Sequence, residues 1–227
     1  EAILGELLLE NFEEEDFEIT TKFKFLEGED LYTLTNQSLK RLRRSSIDGQ
    51  LFHSYLDYKK FLGHSKPHKV KNWGVSVYTN EEIIEVIKNP QVKMIQCPFN
   101  LLDNDSKRGK LLRKAKSKGI EVQVRSVFFQ GLFFMNNDDL PKALTPLSQY
   151  VQKIHQICVI NNLTIQELAL GYCFSKEYID KVVIGVESLD QLKSNIDSLT
   201  KHIPEAVYTL IDNIMVKNSR LLNPSNW

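Results

Sequence analysis

Apolar positions along the chain fall into helical and alternating spacings that follow one another repeatedly. Ala2, Ile3, Leu7 and Leu8 form a helical stripe. The acidic stretch Asn11 to Asp16 ends it before Phe17 to Lys22, whose alternation and β-prone residues read as a strand. Leu31 to Leu42 is again helical and Ile47 to His53 strand-like; a short, irregular Tyr58 to Lys71 leads to a strand at Trp73 to Val77. Thr79-Asn80-Glu81-Glu82 is a capping box opening a helix to Asn89. A strand at Val92 to Cys97 follows, then a helix at Ser106 to Ser117 stopped by Gly119, and a strand at Glu121 to Val127. After Phe128 to Asn137 come two helices, the second opened by the capping box Thr164-Ile165-Gln166-Glu167, then a strand at Lys181 to Val186 and a helix from Ser188. The pattern predicts six strands, each preceded by a helical segment.

Such alternation with no linker predicts one α/β domain over residues 1–227, either doubly wound or an incomplete (β/α)8 barrel. A doubly wound dinucleotide fold carries G-x-G-x-x-G after its first strand, and no such run occurs. The expectation is therefore a (β/α)8 TIM barrel with six of its eight strands in this numbering. The chain starts at Glu1 inside a helical pattern, so an N-terminal piece is expected to precede it.

Composition narrows the partners. Hydrophobic residues at 42% and charged residues at 26% are globular values, which set disorder aside. Lys plus Arg and Asp plus Glu both number 29, so the net charge gives no reason to expect nucleic acid or an acidic membrane as partner. The basic run Lys107, Arg108, Lys110, Arg113, Lys114, Lys116 and Lys118 shares its helix with Leu111, Leu112 and Ala115 and reads as a solvated face; Arg41, Arg43 and Arg44 read alike. Cys97, Cys158 and Cys173 form no C-x-x-C pair, which predicts neither a disulfide framework nor a structural metal site and fits a cytoplasmic location. No apolar run reaches the roughly 18 residues that span a bilayer.

A barrel builds its active site at the carboxyl ends of its strands, here Lys22, His53, Ser76, Gln96, Ser126 and Gly185 through Ser188. Glycoside hydrolysis needs two carboxylates across a bond, and these ends offer only Glu187. A metallohydrolase needs several converging ligands, and His53 is the one histidine among them. A cationic Lys22 beside His53 suits polarising a carbonyl or lowering the pKa of a neighbouring acid. Taken alone, both leave two readings open, since a strand-end lysine kept in solvent and a hydrogen-bonded core histidine are equally ordinary.

A set of segments adds to this. Ile19-Thr20-Thr21-Lys22, Ser38 to Leu42, Ile47 to His53, Gly74 to Tyr78, Gln96 to Asn100, Gln130-Gly131-Leu132, and Gly185-Val186-Glu187-Ser188 with Gln191-Leu192 and Asn195 resemble the aldo/keto reductase superfamily, in order and at its spacing. Even Glu1 to Gly5 resembles the segment that in this family follows D-T-A-x-x-Y-G. The resemblance implies reduction of an aldehyde or ketone, a sugar derivative being the candidate substrate, with NAD(P)H on a (β/α)8 barrel. Of the family's catalytic Asp, Tyr, Lys and His, it assigns the lysine to Lys22 and the histidine to His53. The Asp and Tyr would lie ahead of Glu1, so this chain alone is expected to be inactive. Ser76 and Gln96 match the nicotinamide carboxamide site, although Val77 stands where the family usually has asparagine. Arg125 stands where many members stack an aromatic. Ser126, Gln130 and Gly131 match the pyrophosphate loop, whose crowding by Phe128, Phe129, Phe133 and Phe134 also reads as a plug over the barrel mouth. Gly185, Glu187, Ser188, Gln191 and Asn195 match part of the cofactor site, with Ser188 and Gln191 as a capping box whose helix start suits a phosphate or ribose. Members selective for NADP usually carry cations at positions matched here by Gly185 and Gln191, so NADH is expected to bind at least as well as NADPH. The alternative is a non-catalytic, regulatory member that keeps the cofactor site.

Overall fold

In a computed structural model of the chain, the structure describes residues 1–24, 28–136 and 139–227. Asn137, the end of the expected loop after Phe128, lies outside them. The chain divides into two compact units, Glu1–Gln96 and Cys97–Trp227. It is an α/β fold with six parallel strands.

The first unit holds α1 (Ala2–Asn11), β1 (Thr20–Phe23), α2 (Leu31–Leu42), β2 (Ile47–Phe52), α3 (Tyr55–Lys60), β3 (Val70–Ser76), α4 (Asn80–Val86) and the start of β4 (Met94–Pro98). Its strands pair in chain order, all parallel, with Lys22 opposite Leu51, Leu51 opposite Gly74, Phe52 opposite Val75 and Ser76 opposite Gln96. Alternation then sorts side chains onto two faces. One carries Lys22, Leu51, Gly74, Ser76, Met94 and Gln96. The other carries Phe23, Phe52, Trp73 and Val75, all buried. There Phe23 meets Phe52 edge to face at 4.9 Å, and Phe52 lies 5.8 Å from Trp73 and 5.7 Å from Phe61. On the first face a Cβ at Gly74 would stand 2.1 Å from Met94 Cγ, so only glycine leaves room for that methionine.

Asp30 starts α2 by accepting from the backbone N–H groups of Tyr32 at 2.7 Å and Thr33 at 3.0 Å. The apolar stripe Leu31, Leu34, Leu39 and Leu42 is buried. Thr79 and Glu82 form the expected capping box on α4. The α1 stripe differs from its sequence pattern, for Ile3, Leu4 and Leu7 are exposed and only Gly5 is buried. Gly5 abuts the backbone of Arg41 and Leu42 so closely that a Cβ would come within 2.4 Å of Arg41 O. The helix docks through its glycine. Arg44 also departs from a solvated reading, since its side chain is 7% exposed and donates to the carbonyl oxygens of Glu14 and Phe17.

The second unit holds α5 (Asp105–Ser117), β5 (Glu121–Arg125), α6 (Ser148–Ile160), α7 (Ile165–Phe174), β6 (Lys181–Val182), α8 (Leu189–Ser198) and α9 (Glu205–Asp212). β6 runs parallel to β5, with Val182 opposite Val124. It is shorter than its apolar pattern because β5 stops at Arg125, leaving residues beyond Val183 little to pair with. On α5, Leu112 and Ala115 are buried as expected, but Arg108 is too. Asp103 is fully buried, and Arg108 reaches it with two hydrogen bonds of 2.8 and 2.7 Å. A buried carboxylate demands a partner, and that demand overrides the solvated-face pattern. Asn104 Nδ2 donates to the carbonyl oxygens of Ile211 and Ile214 at 2.8 and 2.9 Å, holding the end of α9. The three cysteines are buried free thiols, and burial pushes that of Cys97 up to about 11. Among the described residues no single helix is long and apolar enough to cross a membrane.

Candidate functional site

In the first unit the parallel register gathers four of the expected residues. His53 directly follows β2, and its backbone N–H donates to Phe23 O at 3.0 Å, continuing the ladder with β1. Two steps on from Leu51, it falls on the face that carries Lys22. Ser76 ends β3 opposite Gln96, on that same face. Lys22, His53 and Ser76 thus stand at or just past the carboxyl ends of three successive strands, and Gln96, in the middle of β4, shares their face. Their environments differ: Ser76 and Gln96 are buried, Lys22 is partly exposed and His53 exposed. An ammonium and an imidazole at the rim above two buried hydrogen-bonding side chains can hold and polarise a planar carbonyl or amide group.

In the second unit a pocket of about 600 Å³ is lined by Phe128, Gly131, Phe134 and Gln166 and, around the start of α8, by Gly185, Ser188, Asp190, Gln191, Ser194 and Asn195. Five expected residues, Gly131, Gly185, Ser188, Gln191 and Asn195, line it. Its lining does not include Arg125, Ser126, Gln130 or Glu187; Arg125 Nη1 instead donates to Ser126 Oγ at 3.2 Å. A Cβ at Gly131 or Gly185 would meet no atom within 4 Å, so both glycines border open space where a ligand can approach backbone. Around Gly131 the backbone is left-handed at three consecutive residues, with φ of 49° at Phe129, 55° at Gln130 and 80° at Gly131.

Ser188 caps α8 by accepting from the Gln191 N–H at 3.2 Å. The reciprocal arm departs from the expected box, because Gln191 Oε1 accepts from Glu187 N at 2.8 Å, one residue further back. The side chains of Ser188 and Gln191 are therefore both committed to the helix start. Asn195 is buried, and its Oδ1 accepts from Gln166 Nε2 at 2.6 Å; Gln166 Oε1 in turn accepts from Ser194 Oγ at 3.2 Å. Gln166, Asp190 and Ser194 carry no assignment from the sequence, whereas Phe128 and Phe134, expected to crowd this loop, do line the pocket. Helical spacing held part of the signal, because Gln191, Ser194 and Asn195 fall three and four apart on one face of α8. Gln166 reaches the pocket from another helix, which no local pattern encodes.

One unit thus holds a pocket of about 600 Å³ beside α8, and the other holds Lys22, His53, Ser76 and Gln96 on one face of its sheet. Residues 1–216 match the aldo/keto reductase family, and the chain belongs to that family. It is 16% identical to an aldo-keto reductase from Bacillus halodurans in its holo form, covering 96% of this chain and 80% of that one with a TM-score of 0.72. A thermostable aldo-keto reductase solved with the inhibitor epalrestat is 19% identical, covering 94% and 76%, with a TM-score of 0.69. Identities this low establish a shared fold. A curated relative, pyridoxal 4-dehydrogenase from Microbacterium luteolum, is 20% identical over 149 residues, 63% of this chain. The chain spans 43% of that relative's length.

Proposed function

We propose that this chain is part of a nicotinamide-dependent oxidoreductase that interconverts an aldehyde or ketone and its alcohol, on a (β/α)8 barrel of which it holds six strands. The observation that carries the reading is the pocket beside α8, lined by Gly131, Gly185, Ser188, Gln191 and Asn195, five of the residues that the resemblance assigns to the cofactor. The residues fit such a group: two glycines border open space, and a buried asparagine lies among the lining. Phe128 and Phe134 add aromatic surface beside Gly131. A holo structural neighbour in the same family and a dehydrogenase relative support the same class.

When bound, the cofactor supplies or accepts the hydride. The remaining chemistry belongs to side chains. Ser76 and Gln96, buried and opposite each other, hydrogen-bond a carboxamide and fix the plane of a ring attached to it. Lys22 supplies a positive charge that stabilises the anion left when a neighbouring acid gives up its proton to the carbonyl oxygen. His53 donates to the carbonyl oxygen and orients it. Gly131 offers its backbone to a pyrophosphate, and the start of α8 carries positive partial charge suited to the same negative end. The substrate is a small carbonyl compound. Titrating the chain with NADH and NADPH, with nicotinamide fluorescence as readout, tests the reading. Binding tighter than about 1 mM is expected for at least one cofactor, and binding weaker than that for both would overturn it.

A further inference from the structure

The segment 217–227 lies beyond the match to the family, yet it packs on the loop that borders the pocket. Trp227 meets Phe129 edge to face, with ring centroids 5.0 Å apart and planes at 75°. The tail that carries it is braced by its own bonds. Asn218 accepts from Arg220 N and Asn223 from Ser225 N, Asn226 Nδ2 donates to Arg220 O, and Trp227 Nε1 donates to Leu221 O at 2.9 Å. Leu222 anchors the segment in the core at 3% exposure.

The loop it touches has two faces. Phe128, Gly131 and Phe134 line the pocket, whereas Phe129, Leu132 and Phe133 are fully buried. The change of face depends on the left-handed run at Phe129, Gln130 and Gly131. Glycine adopts that conformation freely; a buried phenylalanine and a glutamine do so against steric cost, and such residues persist only where surrounding packing holds them. The Phe129 ring meets Phe133 at 5.7 Å and Trp227 at 5.0 Å. Without the indole, an aromatic contact that holds Phe129 inward is lost, and the backbone can relax to negative φ. Phe128 and Gly131 would then leave the pocket edge.

We infer that Trp227 is a positioning residue for the nucleotide pocket, holding residues 128–134 in the strained shape that borders it. This rests on the nicotinamide reading above. Two measurements on the full chain test it: hydrogen exchange of the peptide covering residues 126–135, and the dissociation constant for NADH. In Trp227→Ala, exchange of that peptide is expected to quicken by about tenfold or more while β2, β3 and α7 keep wild-type protection. NADH binding is expected to weaken about tenfold, on the scale of one strained residue re-imposed by the ligand. Trp227→Phe keeps an edge-to-face ring and is expected to restore both to within about twofold. Unchanged exchange at 126–135 in Trp227→Ala would overturn the inference, as would a loss spread evenly over the unit. Should the alanine variant not fold, Trp227→Leu is read by the same criteria. Wild-type protein that binds neither cofactor would refute the functional reading instead, and the exchange result would still decide the role of Trp227.

Discussion

Cofactor choice follows from charges around α8. A 2′-phosphate carries between one and two negative charges and needs a cation within hydrogen-bond reach. Among the described residues lining the pocket there is no lysine or arginine, and Asp190 adds a negative charge. Gln191 and Ser188, the side chains nearest the helix start, are spent on the Glu187 and Gln191 N–H groups. Lys181 lies 3.4 Å from Glu121. NADH should therefore bind at least as tightly as NADPH; Glu187 adjoins the lining residue Ser188 in the chain, so its charge bears on this end of the pocket although it does not line it. Glu187→Lys replaces a repelling carboxylate by an attracting ammonium while its backbone bond to Gln191 persists. A charge-assisted contact is worth about 1.5–3 kcal/mol, and exposure at this position places the gain near the lower end. The relative affinity for NADPH should rise about tenfold, and less at high salt. Fluorescence titration of both proteins with both cofactors at two ionic strengths reads this. A tenfold preference of the unmutated chain for NADPH would show that a cation reaches the phosphate from elsewhere and refute the reasoning.

Two further outcomes bear on the frame that holds the site. Gly74→Ala forces a Cβ to 2.1 Å from Met94 Cγ and 2.4 Å from its carbonyl oxygen, and should cost about 3 kcal/mol or more in denaturant unfolding, whereas Gly185→Ala, with open space, should stay near wild type. Burial alone would raise the Asp48 carboxyl, but bonds from Lys71 at 2.7 Å and the Ile19 N–H at 2.8 Å, with Arg44 nearby, hold it below its ordinary range. A depressed carboxylate stabilises the fold above its unfolded value of about 3.9 and loses that contribution as pH falls through the folded one. Urea titrations from pH 7 to 3 should show a shallower acid loss for Asp48→Asn than for wild type, and parallel curves would remove Asp48 from the acid response.

The sequence revealed elements where local chemistry decides them. Leu31 to Leu42 was readable from its stripe, and the caps Thr79, Thr164 and Ser188 mark helices that begin where they should. Lys22, His53, Ser76 and Gln96 were readable as one face because parity along parallel strands puts them together whatever the exact strand limits, although Gln96, expected at a strand end, lies in the middle of β4. The departures came from tertiary demands. α9 was missed, and it is held by Asn104 from more than 100 positions away. Arg108 was read as solvated because no periodicity shows that Asp103, five residues earlier, is buried. The stripe of α1 suggested a buried face, yet its docking runs through a single glycine.

The pocket shows the same division between local and distant causes. Capping is local, so Ser188 and Gln191 could be recognised as a pair, but capping also consumes them. What remains for a ligand is backbone at two glycines, two phenylalanine rings, the Asp190 carboxylate and the polar group formed by Gln166, Ser194 and Asn195. That inventory favours a ligand part that is flat and hydrogen-bonding over one that is highly charged, since stacking surface and amide groups are present and matching cations are not among the described lining residues. An adenine ring meets that description better than a phosphate does. Recognition at this end of the site should therefore rest on the base and the ribose, with the negative pyrophosphate left to backbone N–H groups, and salt should weaken binding of NADH only slightly.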